Sequence, residues 1–281
     1  MVTIFADTTS SIPVEEAKSL GIEFFPQIIN FGDESYRDDY EIDPATFLQK
    51  LMSSSILPKT AAPPPSLYNP IFEKHIKSGN SIIVLTPSSK ISGTFRSAEV
   101  AAQDYPDADI KIIDTFAIGA SLASIVKKAN QFAKNGLSSD VVLTKVEDLK
   151  LRERNLFVVD TLEYLFKGGR IGGAKMLFGS ILQVKPLLTL KNGQVEPVES
   201  QRTSKKAIAR LKEIVLSDCK ENGFSMFSIQ HGAAEKEANS LAEDFKKLLD
   251  IDQIEIFELP PAFLTHSGPG VLGVSYFVDK I

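Results

Sequence analysis

Short apolar runs alternating with helical patterns constrain this chain more than any other feature of its sequence. Val2–Ala6, Ile22–Phe31, Ser81–Thr86, Ile110–Asp114 and Asn155–Asp160 are rich in β-branched or aromatic residues and end in turn residues, the signature of buried strands. Between them the pattern predicts helices over Asp43–Met52, Ser92–Gln103, Phe116–Ala133 and Asp140–Leu149. Asp43-Pro44 supplies an N-cap followed by proline at the first helical position. Strands alternating with helices imply βαβ units and a mainly parallel sheet. The densest loop signal is Ala61–Pro65, where three successive prolines oppose a helix.

The second half reads differently. Asn192-Gly193 sits between the extended segments Lys185–Leu190 and Val195–Ser200, and Asn-Gly in that setting is a strong hairpin signal. Helices follow at Ser204–Lys220 and Ala234–Leu249, with strands at Phe224–Gln230 and Gln253–Leu259. At 281 residues the chain suits about two domains. The expected fold is therefore α/β throughout: an N-terminal α/β domain over 1–160 with a mainly parallel sheet, and a C-terminal α/β domain over 161–281 with a mixed sheet containing the hairpin.

Composition narrows the function. A net charge of −5 opposes nucleic-acid binding, which needs a basic face. The single Cys219 excludes an internal disulfide and a cysteine-based zinc site. His75, His231 and His266 have no metal-ligand spacing. No run reaches the ~20 apolar residues of a membrane span, and the N-terminus carries no signal-peptide pattern. Cytoplasmic location, no stable membrane insertion and no cofactor are the expectations. Gly268-Pro269-Gly270-Val271-Leu272-Gly273 matches the dinucleotide fingerprint, but only eight residues of the sequence follow it. That leaves no room for the helix, strand and acidic residue the motif requires.

Several clusters remain. Thr265-His266-Ser267-Gly268-Pro269-Gly270 places a histidine beside hydroxyls, after the apolar stretch Leu259–Leu264. Pro58-Lys59-Thr60 and Ile91-Ser92-Gly93-Thr94 offer further hydroxyls. Ser92, His266 and Asp7 or Asp160 could be arranged as a nucleophilic triad, though nothing in the sequence brings them together. Asp7-Thr8-Thr9-Ser10-Ser11 reads either as a cap for a helix beginning at Pro13 or as a means of orienting a pocket neighbour from a strand's C-terminal end. Lys167–Gly173 sets Arg170 among four glycines, so Arg170 lies either on a surface turn or in a pocket where it needs an anionic or multi-acceptor partner. The apolar run Met176–Leu182 has the helical spacing of ordinary core packing. Gln201–Lys206 is basic, either a solvated face or a docking patch.

Taken together these residues resemble the DegV family. The similarity runs through Ile4–Ser10, Tyr36-Arg37-Asp38, Lys59-Thr60, Ile91–Thr94, Ile113-Asp114-Thr115, Asp160–Leu165, Lys167–Ile171, Val184-Lys185-Pro186, Arg202-Thr203 and His266–Gly270. The resemblance implies a non-catalytic protein that binds a long-chain fatty acid between two α/β domains. It would present the carboxylate to the catalytic subunit of a separate fatty acid kinase, for acyl-phosphate formation in phospholipid metabolism. It also implies carboxylate contacts from Thr60, Ser92 and His266, support from Arg170, and a kinase-docking role for Arg202. The chain departs from the family pattern at Ala61 and Ala62, where Ser and Gln are frequent, at Thr8, where Ser is usual, and at Ser11, where Asp is usual. The alternatives are a serine-histidine hydrolase acting on a lipid through Ser92 and His266, or a lipid sensor.

Overall fold

The computed structural model describes residues 1–178 and 184–280. Its strands in the first half are β1 (Val2–Asp7), β2 (Glu23–Phe25), β3 (Ile28–Phe31), β4 (Glu34–Arg37), β5 (Lys59–Ala61), β6 (Ser81–Thr86) and β7 (Ile110–Asp114). They are followed by β8 (Glu153–Val158), β9 (Lys185–Lys191), β10 (Gln194–Gln201), β11 (Ser225–Gly232), β12 (Glu255–Glu258) and β13 (Val271–Phe277). The helices are α1 (Val14–Leu20), α2 (Pro44–Ser53), α3 (Pro65–Lys77), α4 (Thr94–Ala102) and α5 (Ala120–Lys134). After these come α6 (Ser139–Arg152), α7 (Glu163–Lys167), α8 (Ser204–Asn222), α9 (Glu235–Leu249) and α10 (Pro261–Ser267).

The first sheet is four-stranded and parallel, in the order β2-β1-β6-β7. Successive side chains on a strand point to opposite faces. Ile4, Ala6, Ile83 and Leu85 accordingly pack against α5 and α6, whereas Phe5, Ile82 and Val84 pack against α3 and α4. The second sheet is six-stranded and mixed, in the order β10-β9-β8-β13-β11-β12. Helices α8 and α9 cover its outer face. Its other face meets α5, which thus lies between the two sheets. The fold class is the one expected.

The hairpin joins β9 to β10 as the sequence predicts. Asn192 and Gly193 have φ of 50° and 77°, the paired positive angles of a tight hairpin turn. The tip docks on the first sheet's loops, where Ser88 Oγ donates to Gly193 O at 2.8 Å. A small third sheet, β4-β3-β5, packs with α2, α7 and α10 around Ile29, Phe47, Leu165 and Leu264.

Several expectations need correction. The predicted strand Ile22–Phe31 is two strands in different sheets, parted at Pro26-Gln27, because proline offers no N–H to a ladder. The helix expected from Phe116 starts at Ala120, after positive φ at Phe116 and Gly119. The proline run does not prevent a helix: α3 begins on Pro65, at the one place where a helix has no use for that N–H. No side chain of Thr8–Ser11 caps α1, whose N-cap is Pro13. Strand β8 pairs with β9 and β13, so division by sheet membership moves from 160 to the Arg152–Glu153 junction. Of the apolar run 176–182, residues 179–182 lie outside the described residues, and Gly172–Leu177 forms a 3₁₀ turn.

Strand β13 went unassigned in the sequence, yet it lies between β8 and β11. Leu272 on it is 2% exposed. Leu272→Ala is expected to cost about 2–5 kcal/mol of folding stability. Urea unfolding checks this, and an unchanged midpoint would show that the strand is not part of the cooperative core.

Candidate functional site

The C-terminal end of β1 opens into a turn built around a buried carboxylate. Asp7 is 1% exposed. Its Oδ1 accepts Thr9 N–H at 3.0 Å, and its Oδ2 accepts Gln27 Nε2–H at 2.6 Å and Thr94 Oγ1–H at 2.7 Å. Burial raises its pKa, while these hydrogen bonds pull the other way. Asp38 is buried beside it and accepts from Thr8 Oγ1 and from Gln27 N–H, both at 2.7 Å. Burial pushes the Asp38 carboxyl up to about 7. Of the two readings of Asp7, the structure shows the one that orients neighbours.

Those neighbours reach a cavity. Thr94 Oγ1 lies 3.0 Å from Ser92 Oγ. Its own hydrogen goes to Asp7, so Ser92 is the donor of that pair. Thr94 also accepts from Gln27 at 2.9 Å and stays satisfied if Ser92 turns its proton elsewhere. The cavity encloses about 300 Å³ between the two sheets, at the low end of the ~300–1,000 Å³ typical of small-molecule sites. Ile91, Ile118, Phe157, Leu165, Leu190 and Phe263 form much of its wall.

One end of the cavity is polar. Helix α10 carries His266 there, and β5 carries Thr60, whose Oγ1 is 2.8 Å from His266 Nε2. His266 Nδ1 is buried without a partner among the described residues. Orphaned N–H groups are rarer than under-used acceptors, which favours the tautomer with hydrogen on Nε2. His266 then donates to Thr60 and leaves the Thr60 hydroxyl hydrogen free. Burial, and next the Arg170 charge, lower the His266 pKa to about 3. Both effects hold the ring in its neutral form near pH 7.

Arg170 supplies the positive charge. Its Nε donates to Ile91 O at 3.0 Å and its Nη1 to Gly168 O at 2.6 Å. No carboxylate pairs with it among the described residues. Burial lowers its pKa, though a guanidinium remains charged. Gly168 is there because the space is taken: a Cβ on it would lie 2.4 Å from His266 Nδ1.

Thr60, Ser92, Arg170 and His266 thus line one cavity although they are scattered in sequence. The triad arrangement does not form. Ser92 pairs with Thr94, His266 with Thr60, and Asp160 with Lys185. Arg202 stands apart, exposed just before α8, with Thr203 capping that helix through Lys206 N–H at 3.2 Å. Sequence reading missed Gln27 and Gln230, both buried and both lining the cavity. The described residues include no cluster suited to a metal ion and no helix long and apolar enough to cross a membrane.

The profile of the DegV family, described as an uncharacterised protein family, matches residues 1–279. A DegV domain-containing protein of Clostridium perfringens is 34% identical over 283 residues, covering 98% of both chains. Among solved structures, a DegV family protein from Thermus thermophilus described for its fatty acid binding superposes with a TM-score of 0.91. It is 30% identical over 99% of each chain. DegV from Bacillus subtilis, described as a fatty acid binding protein, gives 0.88 at 30% identity and the same coverage.

The electrostatics of His266 are directly testable. Its ring signal in NMR is expected to stay at the neutral position from about pH 8 to about pH 5, where an exposed histidine titrates. A group held below its unfolded value contributes stability that is complete above that value, 6.5 here, and lost as pH falls toward about 3. His266→Gln should flatten that part of the stability profile. A ring midpoint near 6.5 would overturn the assignment.

Proposed function

The chain belongs to the DegV family, and from that premise we propose that it holds a long-chain fatty acid in this cavity and presents the carboxylate to a separate fatty acid kinase. The observation that carries this reading is the polar end of an otherwise apolar cavity, where the Thr60–His266 pair, Ser92 and an Arg170 without an acidic partner come together. Burying ~15 methylenes contributes roughly 12 kcal/mol, offset in part by ordering of the chain and loss of its freedom. A carboxylate enclosed with that tail must be hydrogen-bonded. Thr60 and Ser92 each have a hydroxyl hydrogen to give, and Arg170 balances the charge, so neutral His266 acts by polarising Thr60. Two structural neighbours near 30% identity are described as fatty acid binding, which supports the ligand class.

The kinase step rests on the family resemblance. Arg202 supports it locally. It precedes the N-terminus of α8, where the helix dipole disfavours a cation, and it has no ion-pair partner among the described residues. An acidic group on the kinase would give it a role.

Protein expressed in bacteria, denatured and extracted with organic solvent, is expected to release long-chain fatty acid at about one per chain, identified by mass spectrometry. Ser92→Ala should weaken rebinding by about 1–3 kcal/mol. Absence of fatty acid in the extract, with no rebinding by delipidated protein, would sink the reading. A time-dependent lipid product would favour the hydrolase instead, and capture of a partner other than a kinase would favour a sensor.

Arg202→Ala is expected to leave fatty-acid affinity and melting temperature unchanged. It should slow kinase-coupled acyl-phosphate formation by about tenfold or more, the loss of one charge-assisted contact. Normal turnover, or a parallel loss of lipid binding, would count against docking through Arg202.

A further inference from the structure

The cavity contains polar groups that a plain hydrocarbon tail does not use. Gln230 on β11 is 6% exposed. Its Oε1 accepts Ala120 N–H at 2.8 Å, and because only the carbonyl end of an amide can accept, this contact fixes which end is nitrogen. The two N–H groups of Nε2 have no acceptor among the described residues. Gly273, the residue paired across the sheet with both Phe157 and Gln230, lets the two side chains close over it: a Cβ there would lie 2.9 Å from Phe157 Cβ and 3.1 Å from Gln230 Nε2. Phe157 and Gln230 both line the cavity.

Gln27 repeats the situation in the break between β2 and β3. It is 3% exposed. Its Nε2 is held by Asp7 and Thr94, so Oε1 is the end left over, without a donor among the described residues. The cavity wall therefore offers an unused donor pair and an unused acceptor, both on side chains more than nine-tenths buried. Ser121, also lining the cavity, adds a hydroxyl that lies 2.8 Å from Ser275 Oγ. A ligand that covers such groups without pairing with them leaves them unsatisfied, which favours a ligand able to pair.

We propose that this cavity selects an acyl chain bearing an oxygen function along its length, a hydroxy- or oxo-fatty acid, read by Gln230 Nε2 with Gln27 Oε1 available to a hydroxyl. This rests on the fatty-acid reading above and narrows it to a substrate class. A hydroxyl suits both amides, since it accepts and donates; a ketone suits Gln230 alone. The carboxylate end at Thr60, Ser92 and His266 is unaffected.

The test uses the delipidated full chain and competition binding. Stearate is compared with a series of stearates carrying a hydroxyl at successive chain positions. At least one position is expected to bind about tenfold or more tighter than stearate. This comparison needs no variant to fold. Gln230→Met removes both amide contacts. Gln230→Glu keeps an acceptor for Ala120 N–H and removes the donors. In either variant the preferred hydroxystearate should fall to the affinity of stearate. Stearate binding as tightly as every member of the series overturns this inference and leaves the fatty-acid reading intact. Failure of all of them to bind overturns both. A preference that survives both substitutions overturns the assignment to Gln230.

Discussion

The Asp7 carboxylate is the constraint on which the seam between the two sheets depends. It ends β1, is buried, and has no cation beside it. Only hydrogen bonds can hold such a group, and each one fixes a different segment: Thr9 the turn after β1, Gln27 the break between β2 and β3, Thr94 the start of α4. A buried network of this kind is stabilising only when every member is satisfied. That requirement sets Thr94, and Thr94 in turn sets Ser92. Pro26-Gln27 then passes the chain from the parallel sheet to the small third sheet, where β5 carries Thr60. The hydroxyls of the site are positioned by an acid that is not one of the cavity's lining residues.

Charge at the site follows from burial. A histidine among hydroxyls suggests an imidazolium waiting for a carboxylate, but burial and the neighbouring Arg170 charge both push the enclosed ring toward its neutral form. The cation is instead a guanidinium tied to two backbone carbonyls. Carbonyls orient Arg170 and leave its charge uncompensated, as a carboxylate would not. The glycines around it serve this arrangement: Gly168 gives His266 its space, and Gly172 lets the chain pass against the Val195 backbone, where a Cβ would lie 2.2 Å from the carbonyl oxygen.

The sequence made the α/β class, the parallel first sheet and the hairpin legible, because each rests on local chemistry: strand periodicity, helix caps and an Asn-Gly turn. What it hid was non-local. In strand β13, Gly273 and the preceding glycine-proline-glycine turn mask a segment whose Val271, Val274, Tyr276 and Phe277 suit a buried strand. It becomes one because β8 and β11 leave a gap that Gly273 fits, between Phe157 and Gln230. Helix α10 was hidden because Pro260-Pro261 looks like a loop until Pro261 is seen to start the helix. The four polar residues at the cavity's end stood out singly in the sequence, but only the family resemblance joined them in one site, since Thr60 and His266 are 206 positions apart. Spacing alone offered Ser92 and His266 as a catalytic pair, and packing gave each of them a different partner.

Gln230 shows why the remaining part of the site was beyond sequence reading. In the strand Ser225–Gly232 it shares with Ser228 the face that alternation would turn to solvent, opposite Phe227 and Ile229. That face is buried because α5 lies across it. The helix begins at Ala120 with a backbone N–H that has no partner within the helix, a shortage every helix start has. Gln230 Oε1 meets that need, so the residue first serves as an inter-sheet cap. An amide cannot give its acceptor without also bringing its donors, and satisfying Ala120 therefore commits two N–H groups to the cavity. A capping requirement at one helix start thereby imposes polar chemistry on the wall of an otherwise largely apolar cavity.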